Sequence, residues 1–161
     1  MSRLAAALLL LALAGCSRGD TAPPQVRVQV GSQDLAIRPT QYCLDGTGRR
    51  YQTTPPILEV SPGSPITLTV PGDVAERGWS VQVFDEKLQQ PLGDVRVPKG
   101  EAVFRKLSTS DVVPPAFYLV IVEDKGGPCG EFSGAWPVGF LRAGGHIGGS
   151  PTGSPSSTPP A

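Results

Sequence analysis

Three cysteines carry the most specific chemistry in this sequence. Cys16 closes the run Leu13-Ala14-Gly15-Cys16 directly behind an apolar stretch. Small residues at 14 and 15 suit the pocket of a processing peptidase, and the Cys16 thiol is then the acceptor of a diacylglyceryl group. Cleavage before Cys16 frees an amine for a further acyl chain. Export would place Cys43 and Cys129 in an oxidising compartment, where thiols pair. An acylated Cys16 is a thioether and cannot join a disulfide, which accounts for the odd cysteine. Cys43 and Cys129 are then expected to bridge, closing a loop of about 86 residues and stabilising the fold by about 4–5 kcal/mol on the chain-entropy model. A zinc site is the rival reading, but two cysteines without a nearby set of His, Asp or Glu lack its ligand pattern.

Other constellations are weaker. The single histidine, His146, lies in a Gly-rich C-terminal stretch. A Ser-His-Asp triad needs a His held beside its nucleophile, and a blue-copper site needs two His and a free thiolate. Neither has its ligands here, so no catalytic residue, metal or cofactor is expected. Asp85-Glu86 and Glu123-Asp124 each end an expected strand. Paired carboxylates can run glycoside hydrolysis or hold calcium, and an exported carboxylate-dependent hydrolase is the enzymatic alternative. Neither pair has a calcium-loop pattern, and both are expected to be solvated turn residues. Arg49-Arg50, after Asp45-Gly46-Thr47-Gly48, is read as a polar hairpin tip. Trp79 alternates in phase with Val81 and Val83 and is expected in the core. Trp136, beside Pro137, is the candidate binding-surface residue.

The segments that must position these residues follow. Arg3 starts the chain with a positive charge, and residues 4–13 are all Leu or Ala. Ten apolar residues suit a signal core of about 7–15, not a spanning helix of about 20. Residues 1–15 are thus expected as a lipoprotein signal peptide and 16–24 as a lipidated tether. Two or more acyl chains, at about 0.8 kcal/mol per buried methylene, would anchor the protein to the extracytoplasmic face of the cell membrane. Residues 143–161 hold almost only Gly, Ser, Thr and Pro and cannot bury enough apolar surface to offset ordering. They are expected to be a disordered tail. The full chain has 14 basic and 14 acidic side chains. Without Arg3 the balance is one net negative charge, which excludes the basic excess of a nucleic-acid binder.

Between the ends the apolar period is two. Val26, Val28 and Val30 alternate with Arg27 and Gln29, and Ile66, Leu68 and Val70 with Thr67 and Thr69. Residues 117–122 are nearly all apolar, as in a central strand. Pro137 breaks the last run and suggests a sheet edge or bulge. One helical turn is expected over residues 73–77. Turns every 8–12 residues point to an all-β sandwich or barrel over 25–142. Tyr118, opening a hydrophobic strand, suits the corner tyrosine of immunoglobulin-like domains. The expected fold is an immunoglobulin-like antiparallel β-sandwich with disordered termini.

Three stretches together, Arg38-Pro39-Thr40-Gln41-Tyr42-Cys43, the run from Val70 to Val81, and Ala135-Trp136-Pro137-Val138-Gly139, resemble a family of actinobacterial lipoproteins grouped as a domain of unknown function. The resemblance implies a surface lipoprotein with an early cysteine, and it implies no catalytic residues. The function expected is a non-catalytic binding or scaffolding module of the cell envelope, with an envelope protein or glycan as partner. A carrier holding a small ligand or lipid between the sheets is the alternative.

Overall fold

The computed structural model describes residues 22–124, 127–145 and 147 of the 161-residue chain. Cys16, the signal segment, His146 and the rest of the tail lie outside them. Among the described residues eleven strands form, most of them from alternating apolar residues. These are β1 (Val26–Val30), β2 (Gln33–Ile37), β3 (Gln41–Leu44), β4 (Thr47–Arg50), β5 (Ile57–Glu59), β6 (Pro65–Thr69), β7 (Trp79–Phe84), β8 (Pro91–Val97), β9 (Val103–Ser108), β10 (Ala116–Glu123) and β11 (Ala135–Leu141). One short helix, α1 (Gly72–Arg77), precedes β7.

The strands form two sheets packed as a sandwich. The smaller runs β2-β1-β6-β9 and the larger β4-β3-β11-β10-β7-β8, with β5 beside β11. Every pairing is antiparallel except that of β5 with β11, which is parallel. Period two sends one face of each strand inward. Val26, Val28, Val30, Ile66, Leu68 and Phe104 of the small sheet meet Trp79, Val81, Phe117, Leu119, Ile121, Trp136, Val138 and Phe140 of the large one, all nearly or fully buried. Each such aliphatic side chain contributes about 1.5–3 kcal/mol by leaving water. Trp79 crosses between sheets to Phe104, edge to face at 6.3 Å. Phe117 stacks on Phe140 at 5.2 Å.

Four expectations change here. Trp136 is fully buried, packs at 5.7 Å against Tyr42 and donates its indole N–H to the Pro24 carbonyl, so it is a core residue and not a binding surface. Pro137 does not lie on an edge strand, because β11 sits inside its sheet. The N–H groups of Gly139 and Thr40 bond Pro56 and Ala135 carbonyls on the side of β11 away from β10. Pro137 shares that parity and falls between the stretches paired with β3 and with β5, where no donor is needed. Arg49 and Arg50 lie on β4, and the hairpin tip is Asp45-Gly46, both with positive φ as a tight primed turn requires. Tyr118 makes no hydroxyl hydrogen bond among the described residues. Its ring covers Gly139 on the neighbouring strand, where a Cβ would stand 3.0 Å from Cε1.

Candidate functional site

The disulfide end of the sandwich holds a cluster of four polar side chains, Tyr42, Asp73, Arg77 and Glu123. Pro71 opens α1 and Gly78, with φ of 100°, closes it, its N–H bonding the Val74 carbonyl. One turn separates Asp73 from Arg77, so both side chains share a helix face. The Arg77 guanidinium hydrogen-bonds Glu123 through Nε, and its Nη2 donates to Asp73 at 2.9 Å and to the Tyr42 hydroxyl at 2.8 Å. Glu123 is 5 % exposed. It is thus no solvated turn carboxylate: it ends β10 opposite Trp79 and answers a half-buried cation. Asp85 does match the turn expectation, accepting the N–H groups of Gln89 and Gln90.

Charge sets the protonation states in this cluster. Partial burial opposes ionisation of Asp73, but the hydrogen bond and charge of Arg77 outweigh it and hold the carboxyl below its ordinary value. Burial, then the Asp73 charge, pushes Tyr42 up to about 12. Burial works against the charged Arg77, yet Glu123 and Asp73 keep its pKa above the ordinary guanidinium value. Cys43 and Cys129 are bonded, with Cα atoms 5.9 Å apart, and they close the cluster from above. Phe132 of the same loop lies over Gly48, where a Cβ would stand 2.9 Å from the ring. The space left is about 40 Å3, too small for a ligand beyond water. The cluster is a structural clamp.

Room for a partner lies elsewhere. The outer face of β7 and β8 forms an open trough of about 850 Å3 lined by Ser80, Gln82, Phe84, Leu92, Asp94 and Arg96. Its polar rungs follow from register, since Ser80 stands opposite Arg96 and Gln82 opposite Asp94. A bulge between Val83 and Phe84 brings Leu92, 41 % exposed, beside Phe84 at the far end. Around the free side of β8 runs an apolar groove of about 380 Å3 with Val83, Val95, Leu107, Val112 and Val113. Arg142 Nη2 bonds the carbonyls of Val112, Val113 and Pro114, so that loop holds Val113 out at 91 % exposure. Among the described residues no three His, Cys, Asp or Glu gather as metal ligands do, and no helix is long and apolar enough to cross a membrane.

Both the trough and the clamp escape a residue-by-residue reading of the sequence. Asp73 and Arg77 carried a signal in their i,i+4 spacing. The trough carried less, because the in-phase polar residues of β7 and β8 look like any solvated face until a bulge adds Phe84 and Leu92.

Fold and surface among the described residues define a β-sandwich with an open groove on one sheet face. The family model described as "Protein of unknown function (DUF2771)" matches residues 19–114, and the chain belongs to that family. No curated protein and no solved structure matches.

Proposed function

We propose that this chain is a lipid-anchored, immunoglobulin-like module of the cell envelope that binds a partner without catalysis, through the trough on β7 and β8. The observation that carries this reading is the trough itself: about 850 Å3, open, with apolar groups at one end and paired polar rungs along it. Its placement supports the reading. The tether side is marked by Pro24, held by the Trp136 indole. Trp136 lies at the Trp79 end of the sheet, through the registers Ile121–Trp136 and Ile121–Val81. The strand β7 runs from there toward Phe84, so Phe84 and Leu92 sit at the end away from Pro24. The run Leu13-Ala14-Gly15-Cys16 supports the anchor, and an envelope protein or glycan is the partner class.

Phe84→Ser tests the reading. The substitution removes the Phe84 ring from the apolar end of the trough, on the outer face of β7 opposite Tyr118. Crosslinking in intact cells is expected to give an adduct with wild type and none with Phe84→Ser, at a temperature where thermal unfolding shows both proteins folded. An adduct that persists unchanged would place the partner elsewhere.

A carrier of a small apolar ligand is a second reading, favoured by the groove of about 380 Å3 along β8. It opens at the rim of the sandwich and not between closed sheets. Saturable binding of a fluorescent fatty acid, lost in Val112→Asp, would support it.

A further inference from the structure

The strand β8 is the last of its sheet, and its backbone polarity can be read from the pairings. Asp124 donates its N–H to the Gly78 carbonyl, so Gly78, Ser80 and Gln82 face β10. Alternation then turns the polar groups of Trp79, Val81 and Val83 toward β8. Their partners Val97, Val95 and Gly93 spend their N–H and C=O groups on β7. The N–H and C=O groups of Asp94 and Arg96 therefore point off the sheet. Such an edge is a template for another strand.

We infer that β8 pairs antiparallel with β8 of a second copy, about a two-fold axis through Val95. This goes beyond the trough reading and stands on the edge alone. In this register Asp94 lies opposite Arg96 of the second copy, and Arg96 opposite its Asp94. Both residues present outward backbone groups, so the two pairs exchange four N–H···O bonds. Their side chains share the outer face and form two cross-strand ion pairs, a favourable arrangement in sheets. Asp94 and Arg96 are exposed, and among the described residues neither has a side-chain hydrogen bond or ion pair within the chain. The neighbouring registers oppose like charges. One sets Asp94 against Asp94, the other Arg96 against Arg96 and Asp94 against Pro98, which has no N–H. Charge thus selects one register, and Pro98 ends it. The paired sheets would bring the two troughs to one continuous face.

The test uses the full lipidated chain in density-matched detergent, by sedimentation equilibrium. Wild type is expected to dimerise. Asp94→Arg and Arg96→Asp should each weaken the dimer at least tenfold, and the double variant should return to within about threefold of wild type by restoring the pairs in reverse. Asp94→Pro deletes an outward N–H and no bond to β7, and should also abolish the dimer at unchanged melting temperature. A wild type that stays monomeric at the highest concentrations, single variants that dimerise normally, or a double variant as weak as the singles would each overturn the inference.

Discussion

Burial and charge each act through particular side chains in this fold. Trp79 is buried and donates its indole N–H to the Glu101 carbonyl at 2.8 Å. Trp79→Ala should cost about 3–5 kcal/mol through lost burial and a cavity, read by denaturant unfolding. Arg77 gives a separate prediction. Removing it leaves Glu123 buried without its cation, so Arg77→Ala should cost about 3 kcal/mol, while Arg77→Met with Glu123→Leu should cost less than the single change. A double variant worse than Arg77→Ala would show that the pair stabilises beyond what packing replaces. Titration adds a third. The Tyr42 pKa is raised from 10.0 to about 12, so in that window the unfolded chain releases a proton that the fold retains. Stability should fall as pH rises from 10 toward 12, and Tyr42→Phe should diminish the late part of the tyrosinate absorbance, leaving that of Tyr118, which burial also raises. Asp73 acts at the other extreme: its folded pKa lies below 3.8, so its contribution is present above that pH and lost below it.

At the scale of elements, strands were easy to read and their neighbours were not. Val26, Val28 and Val30, or Trp79, Val81 and Val83, announce both a strand and its inner face, because burial acts on every second residue. The bond between Cys43 and Cys129 was legible from cysteine arithmetic, and the turn expected over residues 73–77 falls within α1. Partners depend on contacts far apart in sequence. Pro137 looked like an edge because local sequence cannot show that β11 changes its neighbour from β3 to β5 at that residue. Trp136 looked exposed for the same reason, since its cover comes from Tyr42 and Pro24, over ninety residues away in the chain by their numbers. Glu123 looked like a turn carboxylate until α1 delivered Arg77 to it. The disulfide ties the 127–132 loop to β3. Cys43→Ala and Cys129→Ala should destabilise alike, by about 2–5 kcal/mol, with the double variant little worse than either, as measured by thermal unfolding. Clearly unequal single effects would mean that one cysteine contributes beyond the bond.

At the scale of the whole molecule, the proposed anchor at Cys16 and the proposed binding through the trough on β7 and β8 are tested separately. The anchor is tested by Cys16→Ser, which should abolish incorporation of labelled fatty acid and release the protein from the membrane fraction. Continued labelling would exclude Cys16 as the acylation site. The trough is tested most directly by a photoreactive residue placed at Gln82, inside it, and separately at Arg105, exposed on β9 of the other sheet. Illumination of intact cells should give a discrete adduct with a partner other than the chain itself from position 82 and not from position 105. No adduct from position 82, or the same adduct from both positions, would contradict binding through β7 and β8.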